Sequence, residues 1–556
     1  MIVPVLGFDL GIKSVNVCAQ ERLNLYLDVK TERDKSSVIA YGTPGTNLFN
    51  GLNAGALPYR GLTSQIGNFF YGVKSGTFYS VNNAGVETSI GTLNTIAGNV
   101  ALAYNGTQVM LVDGTNGYIY STVAGPGTAQ SISTIVDNFP VATVTTGSAH
   151  GLTTGNLVLV AGASPAGYNG LHAVKVTSPT VFTYELNADP GGNASPVGTY
   201  TQPAFGQITD SNFPNGATTV DQQGGNFIVD NNAAALGQYN ISNSFDGTCW
   251  QNLNNAAISS FATSLIRPFI NQGILHLLGD SGSEFWSNTG NVNFPYALIQ
   301  GSAIEWGLAA KWSVAKLAGA ATFVAKNLQG HVQIVQLQGF QPAPISSPEL
   351  EAALDTYTIS DAVAFSYMLG GHQYYQVTFP SSGKTWLYDY TMSQVSGVPI
   401  WSQLSSGGGR HIAQFYVNYL NQNIVSDYAS GNLYTMSSTT YTDNGMMIQR
   451  QLRMKHIFKN NQQVSIGRLW VDFETGVGVA TGQGSNPQVM MRYSKDGGHS
   501  YSAELWRSLG AIGKYLTRAI WHRLGRARVW VFEVTVSDPV KVVIANAGIL
   551  LVEGRE

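Results

Sequence analysis

The feature that most narrows the fold is punctuation: from about residue 60 almost to the end, short apolar runs alternate with turn signals. Phe69-Phe-Tyr-Gly-Val, Val109-Met-Leu-Val, Tyr118-Ile-Tyr, Phe227-Ile-Val and Ile274-Leu-His-Leu-Leu have the length of strands rather than of helices. Between them stand Asn-Gly at 105–106 and 116–117, Asp-Gly at 113–114 and 246–247, and Gly-Gly at 224–225. Asn and Gly tolerate the positive φ that two-residue hairpin loops of the primed types require. The expectation is a long series of antiparallel hairpins, with little room for parallel βαβ units.

Several segments repeat one theme, an apolar strand, a turn, then a strand ending in an aromatic. Asn68 to Tyr79, Gln108 to Tyr120, Asn226 to Asp230, Ile274 to Trp286 and Gly383 to Tyr390 share it. A recurrence of roughly 40–50 residues is the blade period of a β-propeller, although an array of β-sandwiches gives a similar pattern. The fold class predicted is all-β: a β-propeller with an inserted small β-domain and a further C-terminal β-domain. Residues 1–58 read as an N-terminal joining segment, 59–140 as the first blades, 204–445 as the remaining blades and 446–556 as the basic C-terminal β-region. Residues 141–203 break the rhythm. They are Thr-rich, alternate with period two and end in Asp189-Pro-Gly-Gly-Asn-Ala-Ser-Pro, as a small barrel or sandwich inserted at an exposed loop tip would. One helix is predicted, at Ser347-Pro-Glu-Leu-Glu-Ala-Ala-Leu-Asp, from its capping Ser, its Pro at the first helical position and its acids in the first turn.

Composition excludes several classes. With 44% apolar residues the chain has no compositional reason for disorder, while charged residues are only 11%, against about 25% in an average soluble domain. Such a surface relies on Ser, Thr, Asn, Gln and Gly, or hides against partners. The first residues lack the basic stretch and cleavage site of a secretory leader. No apolar run approaches the ~18 residues of a membrane span. Assembly in a cytoplasm is therefore expected. Cys18 and Cys249 offer no metal spacing, and either one disulfide or two reduced thiols fits them. Charge is unevenly spread: Met446 to Trp530 holds thirteen Lys and Arg against four acids, in a chain of net charge −3.

The chemistry-bearing motifs are few. There is no phosphate-cradling Gly-rich loop, no nucleophile elbow and no His or Cys cluster, so no catalytic residue, cofactor or metal is predicted. Thirty-two acids make chance pairings common, and a glycosidase-type pair is not singled out. Ser494-Lys-Asp496-Gly-Gly498-His-Ser500-Tyr501 resembles the Asp-box hairpin turn. In that turn the carboxylate closes on backbone N–H groups, Gly supplies positive φ and the aromatic packs beneath. Asp-boxes occur in sialidases, but their role is structural, and one box makes a poor case for a glycan-active propeller. Arg507, Lys514, Arg518, Arg523, Arg526 and Arg528, interleaved with Trp521 and Trp530, are candidate contacts to a neighbouring subunit or to DNA phosphates. Because the rest of the chain is acidic, pairing between subunits is the expectation. No base-reading module is present.

Cys18-Ala-Gln-Glu-Arg-Leu-Asn-Leu-Tyr26, followed by Tyr41-Gly-Thr-Pro-Gly45, is similar to the opening of the podovirus packaged-DNA stabilisation proteins, also called tail-hub or nozzle proteins. Leu27-Asp28 stands where Pro-Glu is usual. Phe245-Asp-Gly-Thr, Glu284-Phe-Trp-Ser-Asn-Thr-Gly290, Phe294-Pro-Tyr, Ile359 to Phe365 and the long block His372 to Trp386 resemble the family's mid-chain segments in order. The resemblance implies a non-enzymatic propeller protein of the virion. It would form a homo-oligomeric ring, a hexamer, below the portal and adaptor, and would also meet tail fibre or spike and needle proteins. The ring would extend the channel for double-stranded DNA, retain the packaged genome and let it out at ejection. A tail fibre or a glycan-binding propeller is the alternative.

Overall fold

The computed structural model describes residues 2–4, 20–29, 38–50, 57–123, 129–232, 237–291, 294–459 and 462–552. Cys18, with the start of the N-terminal motif, lies outside them. Cys249 is buried as a free thiol whose pKa burial pushes up, as expected of an inert cysteine.

Among the described residues, seven antiparallel sheets follow one another around a ring. Their strands come from residues 59–92, 101–121 with 205–207, 220–257, 265–298, 306–344, 363–404, and 413–437 with 45–48. These are blades 1 to 7. Each gap between blades is filled by its own cluster of buried side chains. Val73 and Phe78 of blade 1 meet Leu111 and Tyr118 of blade 2, and so on to Tyr375 and Trp386 of blade 6 against Val324 and Ile334 of blade 5. The seventh cluster closes the circle, with Tyr59, Phe70 and Val81 of blade 1 against Val417, Tyr419 and Leu433 of blade 7. A blade's middle strand is thus covered on both faces. That is why Phe70–Lys74 and Gln108–Val112 are buried at every position and read as continuous apolar runs.

The repeated theme is the second and third strands of a blade in four of its five copies: Phe70–Lys74 with Thr77–Val81, Gln108–Val112 with Gly117–Ser121, Asn226–Asp230 with Gln238–Ile241, and Ile274–Gly279 with Ser283–Asn288. Lys384–Asp389 is the third strand of blade 6, whose second is His372–Phe379. The turn chemistry differs from expectation. Primed-type geometry, with φ positive at both central residues, occurs at Gly224-Gly225, but also at Gln272-Gly273, Ala318-Gly319 and Leu420-Asn421. Asn105, Asp113 and Asp246 instead keep negative φ and cap their turns with side chains. Asp113 Oδ1 accepts from the N–H groups of Thr115 (2.9 Å) and Asn116 (2.7 Å). A second helix, Tyr390–Ser396, was not expected. Asp389 caps it through Met392 N–H at 3.0 Å, and Gly397 ends it at φ 73°. Seven residues are too few for helical periodicity to be legible.

Between the third and fourth strands of blade 2, residues 132–201 build two small sheets, of four and three strands, around Val144, Val158, Tyr168 and Phe182. The C-terminal part is a β-sandwich to which the N-terminus contributes. One sheet runs Leu25–Val29, Val38–Gly42, Val543–Val552, Val464–Phe473, Ala519–Ala527. The other runs Glu21–Leu23, Arg450–Arg453, Val529–Val536, Gln488–Ser494, Leu505–Ser508. Leu25, Leu469, Trp521, Trp530 and Ile549 share the core between them.

Candidate functional site

The N-terminal strands tie propeller and sandwich together. Glu21–Leu23 pairs antiparallel with Arg450–Arg453 of the sandwich, and Leu23 aligns parallel with Gln403 on the last strand of blade 6. Next comes Asn24, fully buried at φ 53°, a left-handed conformation that Asn adopts more readily than other non-glycine residues. Its amide donates to Ser405 O (2.9 Å) in the propeller and to Gln449 O (2.8 Å) at the sandwich entrance, and its Oδ1 accepts from Ser405 N–H (2.9 Å). Its backbone carbonyl accepts from Thr43 N–H at 3.0 Å. Two residues later Gly45 opens the strand Gly45–Leu48 that completes blade 7. A Cβ at Gly45 would lie 2.4 Å from Thr442 O, so only glycine fits. The Asn-Leu-Tyr and Thr-Pro-Gly pieces of the sequence therefore mark the staple and the closing strand.

Behind the staple lies an ionic network. Glu533 is 1% exposed, and its carboxylate accepts from Arg453 Nε and Nη2, both at 3.0 Å, and from Arg492. Arg453 also pairs with Glu21 at 2.6 Å, linking sandwich to N-terminus. The Tyr501 ring lies 4.7 Å from the Arg492 guanidinium and 5.7 Å from that of Arg453. Tyr501 is held there by the turn before it. Asp496 Oδ1 accepts from His499 N–H (3.0 Å) and Ser500 N–H (2.9 Å), Oδ2 from Ser500 Oγ, and Ser494 Oγ accepts from Gly498 N–H at 2.7 Å. The Ser494 hydroxyl, which donates to Asp496 Oδ1 at 2.6 Å, and then the Ser500 and His499 donors hold the Asp496 carboxyl well below the usual carboxylate range. The sequence reading missed Glu533, Arg453 and Glu21. The signal available was a lone acid inside the apolar run Trp530-Val-Phe-Glu-Val-Thr-Val.

The basic residues fall at one edge of the sandwich. Ala519–Ala527 is the outer strand of its sheet, and Arg518, Arg523, Arg526 and Arg528 on or beside it are exposed. Among the described residues, none of these four nor Lys514 makes an ion pair. Arg507 is instead turned onto the backbone, donating to Ile520 O (2.8 Å) and Trp506 O (2.7 Å). The loop beside Lys514 exposes Ile512, Tyr515 and Leu516. Charged side chains on an open edge discourage indiscriminate strand addition. Here they sit beside apolar side chains that a partner would cover.

The propeller axis is narrow. Its innermost strands converge through Leu62, Leu102, Val220, Arg267, Val314, Phe365 and Tyr416, one from each blade in order, around about 170 Å³. A duplex, whose major groove alone is about 12 Å wide, does not pass. Arg267, the charged group among these linings, is spoken for: its guanidinium donates to Lys311 O at 3.1 Å and lies 5.7 Å from the Trp312 ring. Among the described residues no group of three or more His, Cys, Asp or Glu is placed to hold a metal, and no helix is long and apolar enough to cross a membrane.

A seven-bladed propeller closed by an N-terminal strand, with a β-sandwich rooted on the same segment, defines the class of protein. Two family models match it: bacteriophage P22 Gp10, beta-propeller, over residues 269–441, and bacteriophage P22 Gp10, beta-sandwich, over residues 449–551. These matches, to the two domains of a structural phage protein, agree with the packaged-DNA stabilisation family that the sequence resembles. No curated protein matches the sequence. Similar solved structures include Saccharomyces cerevisiae Sqt1 (8% identity, 71% of this chain and 98% of that one, TM-score 0.31). Kluyveromyces lactis Hsv2 is similar at 9% identity over 62% of this chain and 97% of that one, TM-score 0.27. The endosialidase of phage phi92 is similar at 12% identity over 78% and 68%, TM-score 0.22.

Proposed function

We propose that this chain is the tail-hub, or nozzle, subunit of a short-tailed bacteriophage. Six copies form a closed ring below portal and adaptor, extend the DNA channel, retain the packaged genome and release it at ejection, without catalysis. The ring is assembled in the host cytoplasm. The observation that carries the reading is the match of both Gp10 domains, propeller and sandwich, in their family order along the chain. The narrow propeller axis agrees with it, because a duplex then has to run along the axis of a ring of chains rather than through one chain. The unpaired arginines on an open sheet edge, in a chain otherwise acidic, supply the surface for a closing head-to-tail interface. DNA that must slide is best met by few strong phosphate clamps, so the basic edge is assigned to the neighbouring subunit. Light scattering on the purified chain, alone and with its adaptor ring, tests this. The expected result is a hexamer in at least one condition. A monomer in both, or a trimer, overturns it.

A further inference from the structure

We propose that the cleft between the inserted sheets and the propeller binds a neutral or amino-sugar saccharide. The cleft encloses about 550 Å³, within the ~300–1,000 Å³ of small-molecule sites, and it lies where two folded units meet, as such sites often do. Its propeller wall carries Phe245, 56% exposed and at φ 57°, a backbone region that bulky residues rarely enter. Phe245 N–H donates to Gly225 O at 2.9 Å, and the ring rests against glycine: a Cβ added at Gly225 would meet it at 2.8 Å. One side of the ring is thus pinned on backbone while the other is open, which is how an aromatic platform presents itself to the C–H face of a sugar.

Polar groups surround that platform. Asp246 is 7% exposed and lines the cleft. Its Oδ1 accepts from Thr248 N–H (2.8 Å) and Thr248 Oγ1 (2.5 Å), and its Oδ2 has no hydrogen-bond partner among the described residues. On the facing wall, Glu185 accepts from Asn243, while Lys175 and Thr183 border the opening. A sugar hydroxyl donating to Asp246 Oδ2 while the ring stacks on Phe245 satisfies both features at once. Glu185, together with Asp246, whose pKa burial pushes up to about 7, disfavours phosphates and acidic sugars, which would bring more negative charge into the same cleft. The inference is independent of ring formation.

Saturation-transfer NMR on the full chain with glucose, galactose, mannose, rhamnose and N-acetylglucosamine tests it, with N-acetylneuraminic acid as the acidic probe. Transfer to at least one of the five is expected. Affinity should fall about tenfold or more, about 1.4 kcal/mol, in Phe245→Asn, which tolerates the positive φ, and in Asp246→Asn, which keeps the side-chain shape. Transfer to none of the five, affinity unchanged in both variants, or N-acetylneuraminic acid as the preferred sugar overturns the proposal.

Discussion

Asn24 does at one position what no apolar or charged residue could do there. Its backbone occupies the left-handed region, and its buried amide holds propeller, sandwich entrance and N-terminal strand together through three hydrogen bonds. Truncation to Ala strands two buried carbonyls and one N–H, each worth about 1–3 kcal/mol if left unsatisfied, and adds the left-handed penalty of about 1–2 kcal/mol. Asn24→Ala is therefore expected to destabilise the joint by about 3 kcal/mol or more in urea unfolding. Asn24→Gly, free of the backbone penalty, should recover about 1 kcal/mol of that. Equal losses in the two would mean that conformation plays no part. The role was only half legible: the Asn-Leu-Tyr run marks the position, but nothing local says that its partners lie about 380 and 425 residues away. Glu533 is the converse case, visible as a misplaced charge and explained only by arginines on other strands.

Elements were legible to the degree that their signals are local. Second and third blade strands are buried on both faces and joined by short turns, so they read directly from the sequence. The closing strand Gly45–Leu48 did not, because it pairs with Leu433–Ser437, nearly 400 residues on. For the same reason, the N-terminal segment read as a separate piece supplies strands to the sandwich. The predicted helix, Pro348–Leu354, sits where its cap placed it, with Leu350 N–H donating to Ser347 Oγ at 3.3 Å. It also brings Glu349 toward the joint. Burial, and then the charge of Glu21, push Glu349 up to about 7, against the opposing pull of Arg22 and Arg453. An acid whose folded pKa exceeds its unfolded value favours the folded state while protonated. Stability from this group should fall as pH rises from about 4.5 to 7, by about 1.4 kcal/mol per unit of separation. Glu349→Gln is expected to unfold like the parent at pH 4 and to be the more stable of the two at pH 8. Thermal unfolding at both values checks this, and a variant weaker at pH 8 would mean that the pairing with Arg22 outweighs burial.

At the scale of the whole molecule, charge is paired at the joint between propeller and sandwich and left open at a sheet edge. The acids and bases of the joint neutralise one another inside the chain, and the propeller axis holds its arginine against a carbonyl and a Trp ring. Among the described residues, the exposed arginines on and beside Ala519–Ala527 make no ion pair, and two roles compete for that edge. If Arg523, Arg526 and Arg528 meet the acidic face of the next subunit, reversing all three to Glu places like charges across every interface of a closed ring, and the penalty repeats with each copy. If they face DNA, the ring should form unchanged and lose only a salt-dependent hold on the duplex, with a shallower dependence for each lost phosphate contact. The expected outcome of the Arg523→Glu, Arg526→Glu, Arg528→Glu triple variant is a folded monomer that no longer assembles on the adaptor, followed by light scattering. Raising the salt should weaken the parent ring as well, because exposed pairs are screened within about 10 Å at 0.1 M. Intact rings that release DNA at lower salt than the parent would reassign the edge to the channel lining and move the subunit contact to another face.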